Sequence, residues 1–509
     1  MSESKQRKIG ALLSYIAMGI SILVQLLYTP ILITKLGQSE YGLYSLISSI
    51  IGYLTVLDLG FGNAIIVYTA KYRAQKKFDE ENKLHGMFKI IFRIISIFAI
   101  IIGIFLYFNV ENFFSNSMTL YELKKTKLMM IILTINLAIT FNFTIYSSII
   151  SAYEKFIFQK LLAILNTISK PLLMIPLLFL GYKSITMCVV ITIVNIAVVL
   201  INYLYCKFKL NINIKYCGFD KDLFKIIFGY SFFIFLGVIV DKINWSLDQF
   251  ILGSMVGTKE IAIYAVACQF ITLFKNISSC CCSIMLPKLS KMVGAKSSDK
   301  ELNNEFIKFG RIQWYLILLI LFGIIIFGYE FIKIWAGNGY EKAYYILLIM
   351  VIPEAFVLVE NIGVYIMQAK NLHKTKAIIA FIIALLNICI SIPLAARLGG
   401  VGTAIGTALA LIVGNLIIIN IYYYKKVNLN IFNFWKNILK ISFPLIPLFV
   451  IVFFINKNIY VASSLLSIGV FAIIFSIIYF VIAYLFSFND YEKDLVKGLF
   501  NIIKKKRGC

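Results

Sequence analysis

The chain has 509 residues, 61% of them hydrophobic and 14% charged, with a formal net charge of +25. A mean hydropathy of +0.89 excludes the roughly three soluble domains that this length would otherwise suggest, and the chain reads as a membrane protein. The positive charge alone would permit nucleic-acid binding, so the positions of the lysines and arginines have to decide.

Continuous apolar runs of about 18 residues or more are helices that cross the ~30 Å hydrocarbon core. About fourteen such runs follow one another, near residues 9–34, 41–67, 87–110, 128–151, 157–180, 184–206, 226–254, 260–286, 311–335, 343–369, 376–397, 401–424, 436–456 and 460–487. Barrel strands would instead alternate over about ten residues, so the fold class is all-α and polytopic. The first run is too long for a signal peptide and lacks a small-residue cleavage site, so it is expected to stay as the first span.

With the N-terminus placed in the cytoplasm, the even-numbered loops and the termini collect about 34 of the 49 Lys and Arg, against about 10 on the opposite side. That asymmetry orients the chain with both termini cytoplasmic. KYRAQKK (71–77) and KKKR (504–507) then read as topology determinants and headgroup contacts rather than a nucleic-acid surface.

In chain order, the polar residues at membrane depth begin with Asp58 in LDLGFGNA (57–64), a candidate site for a coupling proton or sodium ion. The neighbouring Gly60 and Gly62 are expected to permit close helix approach. Arg93 sits toward the cytoplasmic end of its span and is expected to snorkel. Lys170 lies mid-span and precedes Pro171, whose missing donor loosens the helix. In DKINWSLDQF (241–250), Asp241, Asn244, Trp245 and Asp248 fall at i, i+3, i+4 and i+7, hence on one helix face. A flat aromatic among carboxylates and an amide suits sugar recognition; an Asp–Lys pair that glues helices would leave the same pattern. Trp314 and Trp335 are instead spaced for the two membrane interfaces.

Lys275 lies in the next span, and Glu354 and Glu360 in the tenth. Asp241, Asp248 and Glu354 join Asp58 as ion-coupling candidates, and pairing of the deep lysines with acids is the bland alternative. A carboxylate or ammonium at the bilayer centre costs at least ~2.5 kcal/mol and usually faces a cavity or a partner. Gly402, Gly406, Ala410 and Gly414 form a small-residue packing stripe. Cys280, Cys281 and Cys282 are consecutive, so their side chains diverge around the helix and cannot converge on one metal. His85 and His373, both expected in cytoplasmic loops, leave little for a histidine-based metal or nucleophile. No cofactor is called for.

LGQSEYGLYS (36–45) and VGTKEIAIYA (256–265) match at one constant offset through Leu36/Val256, Gly37/Gly257, Glu40/Glu260, Gly42/Ala262 and Tyr44/Tyr264. LGYKSIT (180–186) and LGGVGTA (398–404) repeat at nearly the same offset, with Pro176 and Pro393 alongside. Both pairs fall at matching places in two six-span blocks. The expectation is an N-terminal six-helix bundle over 1–208, a C-terminal one over 209–426 and two extra spans with a basic tail over 427–509. An even number of spans per block makes the repeat parallel, with its axis along the membrane normal.

The duplicated blocks, the GxxEYGxY phrase at 37–44 and LDLGFGNAI followed by YTAKYRA resemble the Wzx-type polysaccharide and O-antigen flippases of the multidrug/oligosaccharidyl-lipid/polysaccharide exporter superfamily. The resemblance covers spans one to twelve. It implies a V-shaped, MATE-like pair of bundles that moves an undecaprenyl-pyrophosphate-linked oligosaccharide from the inner to the outer leaflet, without enzymatic chemistry, beside membrane lipids and a polysaccharide polymerase. Lys170, Lys242 and Lys275 would meet the pyrophosphate as point charges, with Asn244 and Trp245 on the sugars. The runner-up is a MATE-like cation-coupled multidrug antiporter, which would favour the carboxylates. A polytopic enzyme is the third class, and the short outer loops speak against it.

Overall fold

The structure is a computed structural model that describes residues 3–507 apart from 217, 284, 371 and 459–463. Within that range several side chains, including those of Asp241, Asn244, Trp245, His373 and Cys280 to Cys282, lie outside the described residues.

The apolar runs fold as helices. In chain order they are α1 Glu3–Leu36, α2 Gln38–Leu54, α3 Phe61–Ala74, α4 Phe78–Phe114, α5 Leu120–Ala152, α6 Phe156–Phe179, α7 Ser184–Phe208, α8 Lys221–Met255, α9 Thr258–Ser283 and α10 Leu286–Gly294. They continue with α11 Asp299–Ala336, α12 Lys342–Val359, α13 Asn361–Ala369, α14 His373–Leu398, α15 Gly400–Leu411, α16 Ile419–Tyr422, α17 Ile431–Ser442, α18 Ile446–Asn458, α19 Leu465–Ile482 and α20 Asp490–Arg507. Among the described residues twelve segments are long and apolar enough to cross a membrane, and the pair α17 and α18, bent by 48°, makes a thirteenth if taken as one span. The seventh expected run is α8, 35 residues long, which is outside that count.

Helix starts follow local chemistry. Thr119 and Glu122 close a capping box at α5, and Ser298 and Glu301 do so at α11; each satisfies backbone N–H groups that the first turn leaves open. Outward faces stay apolar, with Phe108 71% and Leu172 68% exposed, a surface for hydrocarbon rather than water.

The chain packs as two compact units. The first comprises residues 1–265 and 388–403, the second 266–387 and 404–509. This division follows packing, whereas the boundaries expected after residues 208 and 426 follow duplication and remain a proposal about ancestry.

The first unit explains why one phrase is written twice. Glu40 accepts hydrogen bonds from the Ser184 hydroxyl and, at 3.4 Å, from the Ser184 backbone N–H at the start of α7. Glu260, its counterpart, accepts at 3.1 Å from the Gly400 N–H at the start of α15. In each copy a glutamate caps the helix that follows the second repeated turn. The glycines match as well: Gly37 and Gly257 adopt φ of 82° and 121°, Gly181 and Gly399 φ of 88° and 60°, all in the region where a Cβ is penalised. Glu40 also pairs with Lys125. The two copies touch: the Thr258 carbonyl lies so close to Gly42 that a Cβ there has no room, and the Thr258 hydroxyl donates to Glu122 at 2.7 Å.

Three expectations need correction. His85 is in α4 rather than a loop, fully buried, with Nε2 2.9 Å from the Thr69 hydroxyl; the apolar run at 87–110 extends into the preceding charged stretch as one helix. Trp314 and Trp335 are buried inside the second unit, and Trp314 donates to Ser442 at 2.8 Å, so packing outweighs any interfacial preference. Gly60 has φ 74° and serves a turn rather than close helix approach. In the packing stripe, Gly402 faces the Leu394 carbonyl and Gly414 faces Ile383 with no room for a Cβ.

Candidate functional site

The second span is broken. α2 ends at Leu54, a single 3-10 turn covers Thr55–Asp58, Leu59 and Gly60 are left-handed, and α3 restarts at Phe61. A leucine at φ 52° carries strain of order 1 kcal/mol. Non-helical backbone at membrane depth is tolerated where it is buried in protein or lines a wet cavity.

A cavity of about 370 Å³ lies beside the break. One wall is Asp58 with Thr55, Gly62 and Asn63; the other is a column on α5, Thr140, Thr144, Ser147, Ser148 and Ser151, with Gln159 of α6 at one end. The column forms because the residues recur at three- and four-residue intervals, one helix face. The backbone N–H groups of Gly60 and Gly62 face the Asp58 carboxylate, and its Oδ1 is buried with no hydrogen-bond partner among the described residues. A Cβ on Gly62 would sit 3.4 Å from the Ser148 Oγ and 3.7 Å from the Asp58 Oδ2, so the missing side chain keeps that part of the cavity open.

The hydroxyl protons are already committed. Thr140 donates to the Asn136 carbonyl at 2.8 Å, Thr144 to that of Thr140 at 2.9 Å and Ser147 to that of Thr144 at 2.8 Å. Ser148 and Ser151 bond back in the same way. The Gln159 amide nitrogen donates to the Ser147 carbonyl at 2.9 Å and the Ser151 hydroxyl at 2.6 Å. Apart from the Asn63 amide at the exposed rim, what the wall offers a ligand is therefore oxygen lone pairs and one carboxylate.

Asp58 is thus the sequence candidate that the fold places in a polar cavity. Asp248 is 1% exposed and accepts from the Tyr264 hydroxyl, an internal bond of the first unit. Lys242 is half-buried, its Nζ 3.4 Å from where a Cβ on Gly52 would lie. Lys170 is half-buried in α6, with no hydrogen bond or ion pair recorded among the described residues. In the second unit Lys275 and Glu354 meet at 3.9 Å, with the Glu354 side chain 4% exposed; a binding candidate and an ion-coupling candidate are here one pair. Glu360 is buried, receiving 2.7 Å from Asn420. Asp241, Asn244 and Trp245 lie on α8, but their side chains are outside the described residues.

Sequence reasoning missed the α5 column, although TFNFTIYSSIIS (140–151) carries the necessary spacing. It also missed the buried pair of Arg311 with Glu492, 2.6 Å apart, which fastens the start of α20 to α11. Outside the spans, Tyr153 donates to Glu81 at 2.8 Å; burial and the adjacent carboxylate push its phenol well above the usual range.

The family described as "Polysaccharide biosynthesis protein" matches residues 9–293, over half of the chain. The chain belongs to that family. A Shigella flexneri protein proposed by its name to be an O-antigen transporter is 23% identical over 358 residues, covering 68% of this chain and 80% of that one. The solved structure described as "Lipid II flippase MurJ, inward closed conformation" superposes with a TM-score of 0.73 at 18% identity, covering 96% of this chain and 99% of its own. An inward-facing multidrug resistance MATE family transporter of the MOP superfamily gives a TM-score of 0.61 at 14% identity, covering 81% of this chain and 99% of its own. This family member therefore has the fold of that transporter superfamily, as the repeat and the quoted phrases lead one to expect.

Proposed function

We propose that the protein flips an undecaprenyl-pyrophosphate-linked oligosaccharide repeat unit from the inner to the outer leaflet of the bacterial inner membrane, for O-antigen, capsule or a related surface polysaccharide. The family match over residues 9–293 carries the reading. A large hydrophilic head cannot cross hydrocarbon unaided, and the polar cavity inside the first unit supports passage of such a head. A second cavity of about 470 Å³ between α11, α12 and α19, lined by Phe270, Gly323, Phe327, Phe331, Gly469 and Phe475 among others, is apolar and suits a polyprenyl chain. Lys170, half-buried in α6, is the cation assigned to the pyrophosphate, with Lys242 next. Lys275 is engaged by Glu354 and ranks last. Asn244 and Trp245 remain proposed sugar contacts, and the candidates for the coupling proton or sodium ion remain Asp58, Asp241, Asp248 and Glu354. Both termini are assigned to the cytoplasm, and a polysaccharide polymerase is the proposed neighbour in the pathway.

A MATE-like cation-coupled antiporter is the second reading, favoured by the carboxylate in a cavity that no Lys, Arg or His lines among the described residues. Deletion of the gene distinguishes the two. Loss of surface polysaccharide, with lipid-linked repeat units accumulating on the inner leaflet, supports the flippase. Intact polysaccharide with lost resistance to cationic drugs overturns it.

A further inference from the structure

The cavity beside the broken second span has a chemistry more specific than polarity. Its column hydroxyls spend their protons on backbone carbonyls, the Gln159 amide spends its own within the wall, and the Asp58 Oδ1 lacks a donor among the described residues. Away from the Asn63 amide at the rim, a ligand that satisfies this wall brings hydrogen-bond donors. It cannot bring negative charge, because no Lys, Arg or His among the described residues lines the cavity to offset Asp58. Ile66, Leu137 and Phe141 complete the lining, an apolar face beside the polar one. A bare cation would need a tight oxygen cage with contacts of roughly 2–2.6 Å and has no use for an apolar face, whereas about 370 Å³ accommodates a ring with polar edges and apolar C–H faces.

We propose that this cavity is the subsite for a neutral or amino sugar of the cargo, and that Asp58 makes it reject a hexuronic acid at the same position. The proposal rests on the flippase reading and adds a specificity to it. The sugar hydroxyls donate to Asp58 and to the lone pairs of Thr144 and Ser148, while the pyrophosphate is held elsewhere. A carboxylate on the sugar would face Asp58 at close range in a half-buried setting, a like-charge contact worth on the order of tenfold in rate or affinity.

The test uses the full-length protein in proteoliposomes and two synthetic cargoes. Both carry the same polyprenyl pyrophosphate and a disaccharide, one ending in N-acetylhexosamine and the other in hexuronic acid. Wild-type protein should flip the neutral cargo about tenfold faster than the acidic one, a ratio set by one repulsive charge. Asp58→Asn, which keeps the shape and an acceptor oxygen, should bring the ratio close to one. Asn63→Asp at the exposed rim should widen it, and serves should Asp58→Asn not fold. Equal transport of both cargoes by wild type, or an unchanged ratio in both variants, overturns the proposal. So does loss of sodium or pH dependence in Asp58→Asn with the ratio intact, which would make the cavity a cation site. If wild type moves neither cargo, the flippase reading falls and takes this proposal with it.

Discussion

Asp58 in the first unit and Glu354 in the second are both carboxylates inside spans, yet their surroundings differ in kind. Glu354 is packed at the foot of a lysine, 3.9 Å from Lys275, so its charge is met within the protein. Asp58 looks into an oxygen-lined space with no basic residue on its described wall. A deep acid is therefore not one type of feature: one faces a lysine of its own unit, and the other is set on broken backbone at the edge of a polar space.

The contrast predicts that stability and transport separate. Lys275→Met should have the largest effect on stability, about 2 kcal/mol, because it takes from the buried Glu354 carboxylate the counter-charge 3.9 Å away; the melting temperature in detergent reads it, and Lys275→Met with Glu354→Leu should recover most of the loss. Gly60→Ala forces a side chain onto a φ of 74° and should cost about 1 kcal/mol while slowing flipping, since it distorts the turn that presents Asp58. Asp58→Asn should leave the melting temperature within about 0.5 kcal/mol of wild type and still alter cargo preference; a drop as large as that of Lys275→Met would erase the distinction. Gly62→Ala should do least: its methyl reaches the Ser148 Oγ at an ordinary 3.4 Å, so flipping should fall about twofold with unchanged melting.

The apolar runs made the helices readable, because the bilayer demands length and greasiness that few other folds share. The duplicated phrase was readable too, since Gly37 and Gly257 need the same backbone and Glu40 and Glu260 cap the same kind of helix start. The break at Thr55–Gly60 was not, and residues 41–67 read as one run. Hydropathy cannot register a left-handed leucine. The α5 column escaped for a related reason: hydroxyls bonded to their own helix cost little in an apolar run and leave its hydropathy almost untouched. Pairs such as Lys275 with Glu354, or Arg311 with Glu492, join positions far apart in the chain, which a single sequence does not connect. Trp314 shows the opposite failure, a spacing that suited the membrane surface for a residue whose indole is spent on Ser442 inside the unit.

The back-bonded column gives α5 a mechanical property. The Thr144 carbonyl receives both Ser147 and Ser148, and the Ser147 carbonyl receives both Ser151 and Gln159, so the ladder of that helix shares its acceptors along several turns. Such sharing loosens and curves a helix. The hydroxyl-lined face of α5 is thus also a stretch of its span at which back-bonding eases bending.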